Sequence, residues 1–211
     1  MNSQNQNSKA RILDESFELF RKHGIHYVTM DLIAGTLGIS KKTVYANFPS
    51  KEDLLYHCLR NYIGQQRNVM KQLLEQAPNV MEGLVSLAWE STSRMSETNP
   101  LMYVELDKYY PKLSKELMDS RREEDYRELV SLIDRGKAQG LMLQGINTDI
   151  ATHLFLAQVQ HMNNYELFPI SNYPRTELFT HIFITFLRGI ATPKGQAVLN
   201  ALLEQNNIST G

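Results

Sequence analysis

Apolar residues in this 211-residue chain fall at helical spacing almost from end to end, and strand-like alternation is scarce. Ile12, Phe17, Leu19 and Phe20 gather on one broad side of a segment that Ser8 can cap and that Gly24 ends. Two short segments follow, Thr29 to Leu37 and Lys41 to Phe48, separated around Gly38 and stopped by Pro49. Ser50 then opens Ser-Lys-Glu-Asp, a capping serine with acids in the first turn, and no proline interrupts the chain from Lys51 to about Gln76. One long helix is predicted there, closed by Pro78. Further helices are predicted near 80–98, 101–109, 113–139, 149–166, 175–190 and 194–205. Phe168–Pro174, with two prolines, reads as a loop, and the Asn/Gln-rich first seven residues as disordered. The fold class is therefore all-α.

The densest information lies in Thr29–Lys51, TMDLIAGTLGISKKTVYANFPSK. Gly38 permits the positive φ that a tight turn between two short helices needs. Ala34, four residues earlier, is small enough to let them approach. Ile33, Leu37, Ile39, Val44 and Phe48 form the expected buried seam, and Ser40 caps the second helix. That leaves Lys41, Lys42, Thr43, Tyr45, Ala46 and Asn47 on or near the outward face. Cations, hydroxyls and an amide are the groups that meet phosphates and base edges.

Charge alters the picture only through its distribution. The formal net charge of −1 argues by itself against a polyanion partner. Residues 1–51, however, carry seven Lys and Arg against four acids, a balance of +3 that leaves −4 for the remainder. A single cysteine excludes an internal disulfide and suits a reducing, cytoplasmic setting. No signal peptide and no run of about 18 apolar residues is present, so no membrane association is expected.

The run IAGTLGISKKTVYANFPSKEDLL resembles the signature of the TetR family, with its apolar seam, turn glycine, Tyr45, Phe48 and the following Ser-Lys-Glu-Asp-Leu-Leu. The match covers about residues 9–60. Beyond that the likeness is one of architecture. Lys42 stands where the family often has glycine. The resemblance implies a three-helix DNA-binding domain over 1–50 and a helical ligand-binding and dimerisation domain over 51–211. It implies that Thr29 caps the first motif helix and faces a phosphate. Lys41, Lys42 and Thr43 would open the recognition helix, nearest bases or flanking phosphates. Tyr45 would donate to the DNA backbone, Asn47 reach a phosphate or a base, and Lys51 add charge at the start of the long helix.

Elsewhere the plainer readings prevail. Cys58 reads as a packing residue. The six histidines form no compact metal signature, His153 and His161 being two helical turns apart. No phosphate loop, nucleophile elbow or His-Glu-x-x-His occurs, so no catalytic residue, metal or cofactor is expected. The cluster Arg121, Arg122, Glu123, Glu124, Asp125, Arg127 and Glu128 reads as a solvated helix face with i,i+4 pairs. The second half is rich in soft and aromatic side chains. Given the resemblance, Trp89, Tyr103, Tyr109, Tyr110, His161, Met162 and Tyr165 are the candidate ligand-binding residues.

Residues 175–190 are apolar around most of the helix, with Glu177, His181, Thr185 and Arg188 as a narrow polar stripe. Such a helix is buried on more than one side. With the Asp149–Tyr165 helix it can supply half of a four-helix dimer bundle. The expected function is a ligand-responsive repressor that binds double-stranded operator DNA as a homodimer, is released by a small-molecule inducer, and reads two half-sites roughly 34 Å apart. An activator or ligand-independent regulator of the same fold remains the alternative. A helical enzyme or a helical interaction module without DNA would be rivals from other classes.

Overall fold

The computed structural model describes residues 2–162 and 164–206, with side chains from Ser8 onward. Its described residues form ten helices: α1 Asn2–His23, α2 Met30–Leu37, α3 Lys41–Asn47, α4 Lys51–Gln76, α5 Val80–Glu97, α6 Leu101–Tyr109, α7 Pro111–Ala138, α8 Thr148–His161, α9 Arg175–Ile190 and α10 Pro193–Gln205. The all-α expectation holds. Among the described residues no helix is long and apolar enough to cross a membrane.

Two boundaries differ from expectation for local reasons. The first helix begins at Asn2, so Ser8 lies inside it and the Asn/Gln-rich stretch continues the helix instead of standing outside it. The eighth ends at His161, short of the expected 166. Asn164 Oδ1 accepts from the amides of Glu166 and Leu167, at 3.0 and 3.1 Å. That local turn competes with helical hydrogen bonding.

The chain divides into two compact units, and α4 contributes to both. The first comprises residues 1–69 and 97–120, the second 70–96 and 121–211. The unit that carries the N-terminal helices therefore extends beyond residue 50, taking in most of α4, all of α6 and the start of α7. Polar contacts fasten α6 and the residue before its first turn to the end of α1 and the turn that follows it. The Arg21 carbonyl accepts from the Asn99 amide at 2.8 Å, and the Glu105 carboxylate accepts from the His26 amide at 2.8 Å. The apolar core of this unit joins Phe20, Ile33, Val44, Phe48, Leu54 and Leu55, all fully buried, to Met102 and Leu113. In the second unit, Met81 of α5, Ile133 of α7, Leu187 of α9 and Leu199 of α10 form the center of a separate core. There the 140–143 turn pairs with the end of α9: the Ile190 carbonyl accepts from Leu143 and the Leu141 carbonyl from Thr192. Thr192 also caps α10, its hydroxyl accepting from the Gly195 amide at 3.1 Å, with Pro193 in the first turn.

The α2–turn–α3 segment follows from its sequence closely. Thr29 Oγ1 accepts from the Leu32 amide at 3.1 Å, and Ser40 Oγ from the Thr43 amide at 3.1 Å. Each such cap is worth about 1 kcal/mol. Gly38 sits at φ +66°, donating its amide to the carbonyls of α2's last turn. Ile33, Ala34, Leu37, Val44 and Phe48 are buried as expected, with Ile39 half-buried.

A Cβ added at Gly38 would meet nothing within 4 Å, so a side chain there is opposed by the backbone alone. Gly38→Val is expected to cost about 1–3 kcal/mol through the left-handed φ. Thermal melting measures it; a variant melting like the parent would show that another residue accommodates this turn.

Candidate nucleic-acid interface and a cavity of the second unit

α3 exposes one face and buries the other. Val44 and Phe48 point into the core, while Lys41, Lys42, Tyr45 and Ala46 are exposed and Thr43 and Asn47 are half-buried. The exposed side chains differ in what already holds them. Lys41 Nζ lies 2.7 Å from Asp31 Oδ1, and this hydrogen bond raises its pKa above the usual lysine value. Its ammonium also lies 5.9 Å from the center of the Tyr45 ring. Lys42 makes no ion pair among the described residues. Thr43 Oγ1 is 2.8 Å from Ser40 Oγ, and Asn47 Nδ2 donates to the Thr43 carbonyl at 2.9 Å, so both are partly engaged within their own helix. Thr29 is exposed beside them as the cap of α2. Lys51 is half-buried: its ammonium donates to the His26 carbonyl at 3.4 Å, and burial lowers its pKa against the opposing pull of Glu105. The seven residues expected to meet DNA thus all lie between the cap of α2 and the start of α4.

Arg21 and Arg11, by contrast, serve structure. Arg21 pairs with Glu18 at 2.7 Å and Glu97 at 3.2 Å, and Arg11 donates to the Leu37 carbonyl at 3.5 Å. Cys58 is buried, its thiol donating to the Leu13 carbonyl, and burial pushes its pKa up, away from thiolate chemistry.

The second unit contains a cavity of about 200 Å³. Phe155, Phe179, Phe183 and Phe186 supply aromatic surface, Leu84 and Leu129 aliphatic surface, and Arg121, Asp125 and Glu128 of α7 a polar wall. Residues 121, 125 and 128 share a helix face. The charge cluster expected to be a solvated face is therefore divided. Arg127 pairs outside with Glu123 at 2.9 Å, but one stripe borders the cavity. Arg121 Nε lies 3.7 Å from Asp125 Oδ2, an ion pair beyond hydrogen-bond length, and this enclosed N–H has no hydrogen-bond partner.

The candidate ligand residues are not brought together. Trp89, itself half exposed, lines a neighbouring pocket of about 70 Å³ that shares Ala88 and Phe183 with the larger cavity. Tyr103, Tyr109 and Tyr110 belong to the first unit. His161 is exposed, Met162 is buried and Tyr165 is half-buried, and the described cavities are lined by other residues. Sequence reasoning favoured Tyr, Trp and Met by type. The available signal was position: four phenylalanines at helical spacing on α8 and α9 facing an i, i+4, i+7 polar stripe on α7.

Residues 12–58 match the family model described as bacterial regulatory proteins, tetR family. Over 171 residues the chain is 27% identical to the uncharacterized HTH-type transcriptional regulator YvaF of Bacillus subtilis, spanning 81% of this chain and 85% of that one. It is 22% identical to the HTH-type transcriptional repressor KstR2 of Mycolicibacterium smegmatis over 151 residues, 70% of this chain and 74% of that one. A TetR-family transcriptional regulator from Agrobacterium tumefaciens superposes with a TM-score of 0.69 at 17% identity, covering 89% of this chain and all of that one. Residues 12–58 thus carry a tetR-family DNA-binding region, and the chain is similar to TetR-family regulators over most of its length.

Its relatives and structural neighbours are transcription regulators, not enzymes, and the matched region is the helix-turn-helix that would meet DNA. Affinity of such a protein for DNA contains a sequence-independent part set by the number of phosphates its cations neutralise. Lys42→Ala is expected to weaken binding to operator and random DNA alike and to flatten the slope of log affinity against log salt by about one unit per bound chain. Gel shifts across a salt series measure this. Unchanged affinity for both DNAs would remove Lys42 from the interface.

Proposed function

We propose that this protein is a TetR-family repressor that holds operator DNA as a homodimer and releases it when a small molecule enters the cavity of its second unit. The observation that carries the reading is the coexistence of an exposed, cation-bearing α3 with a separate apolar cavity that has a polar wall. A mostly apolar recess with a few polar groups on one wall is the kind of site that holds a small molecule. The Mycolicibacterium relative named as a repressor supports the sign of regulation.

The dimer is supported by α8. Ile150 and Leu154 are 55% and 59% exposed on it, one turn apart, and with Phe186 of α9 they border an open groove of about 370 Å³. Contiguous apolar surface of this kind marks an interaction site. A second copy of the chain is the occupant proposed: two α8–α9 pairs meeting about a twofold axis make a self-complementary four-helix contact. The dimer presents two α3 helices to two half-sites, which one chain cannot do.

Leu154 is exposed in the single chain, so Leu154→Glu buries no charge within the protomer. It is expected to give a folded monomer with normal helix content and operator binding lost, read by analytical ultracentrifugation, circular dichroism and gel shift. Parent protein sedimenting as a monomer at micromolar concentration would overturn the dimer. For the ligand, coupling is reciprocal. A compound that stabilises the protein in a thermal-shift screen is expected to loosen the operator complex, and operator DNA to weaken its binding by the same factor. Stabilising compounds that leave operator affinity untouched would remove the inducer role.

A further inference from the structure

The cavity's wall constrains the chemistry of its ligand, an inference that rests on the ligand-responsive reading above. The unmet demand at the wall is the Arg121 Nε–H, enclosed and without a hydrogen-bond partner, with the nearest carboxylate oxygen of Asp125 at 3.7 Å. A buried donor left unsatisfied is costly, and an acceptor entering the cavity relieves it. Asp125 and Glu128 are engaged in interactions of their own. A cationic head gains from the two carboxylates but offers the Arg121 donor no acceptor and leaves it unmet. An anionic head offers an acceptor but enters a wall bearing two carboxylates and one guanidinium. A neutral oxygen satisfies the donor and avoids both penalties.

Size and lining define the rest of the molecule. Phe155, Phe179, Phe183 and Phe186 make the remaining surface apolar and aromatic. An engineered apolar cavity of about 150 Å³ accommodates benzene, so about 200 Å³ accommodates a ring with a short substituent. We propose that the cavity takes an uncharged, largely apolar small molecule, ring-sized, whose carbonyl, hydroxyl or ether oxygen accepts a hydrogen bond from Arg121.

The test uses four probes with one phenyl body on the full-length protein: acetophenone (neutral acceptor), ethylbenzene (no acceptor), phenylacetate (anion) and phenethylamine (cation). Binding is measured by calorimetric or NMR titration. Acetophenone is expected to bind about three- to tenfold more tightly than ethylbenzene, the value of one net hydrogen bond. It is also expected to bind more tightly than either charged probe. Arg121→Met keeps the apolar stem and is expected to erase the preference for acetophenone over ethylbenzene while leaving ethylbenzene binding in place. Phenylacetate or phenethylamine binding more tightly than acetophenone would overturn the proposal, and so would a preference that survives Arg121→Met. The probe ranking on the parent protein decides the matter even if the variant does not fold. Leu84→Trp, which fills the cavity, separates the two readings. If ethylbenzene binds and Leu84→Trp blocks it but no head-group preference exists, only this proposal fails. If no probe binds, or binding persists in Leu84→Trp, the cavity reading fails with it.

Discussion

A helix of seven residues has no stability of its own in water, because nucleating the first turn costs more than so few hydrogen bonds return. α3 nonetheless has to present its exposed side chains at a fixed angle. The packing of Val44 and Phe48 against Ile33, Ala34 and Leu37 makes this possible, and that packing requires a sharp change of direction at Gly38. Fully burying each large apolar side chain contributes about 1.5–3 kcal/mol. Together they exceed what the isolated helix lacks. The caps from Thr29 and Ser40 add to this by satisfying amides that the turn leaves open. Everything proposed for DNA recognition depends on this seam, since Lys41, Lys42 and Tyr45 are aimed only because the opposite face is held.

On the face proposed to meet DNA, neighbouring groups limit where the charged side chains point. Lys41 is held by Asp31, Asn47 by the Thr43 carbonyl and Lys51 by the His26 carbonyl, whereas Lys42 makes no ion pair among the described residues. An exposed pair such as Lys41–Asp31 contributes at most about 1 kcal/mol to stability. Its effect is to restrict where the ammonium points. The second unit uses a related arrangement, with Arg121 set 3.7 Å from Asp125 and its Nε–H unmet beside the cavity. In both places a charged group is positioned by a neighbour and still has capacity for a ligand.

The helix-turn-helix was legible in the residues alone, because every signal there is local: capping side chains within three residues of the amides they serve, a glycine where φ turns positive, and apolar residues at helical spacing. Helix α9 was legible for the same reason, and Cys58 as a packing residue followed from its apolar setting. The rest depended on how segments distant in the chain pack together. Whether Tyr103 or Phe155 borders a cavity depends on which helices pack together, and residue type carries no record of that. Arg121, Asp125 and Glu128 read as solvent-facing because a charged i,i+4 stripe has the same sequence pattern beside water as beside a cavity. The compact units likewise join residues 97–120 to the N-terminal helices through contacts such as Glu105 with the His26 amide, made across 79 positions of chain. Spacing along a helix is written in the sequence, but the partner of each helix face emerges only when distant segments pack.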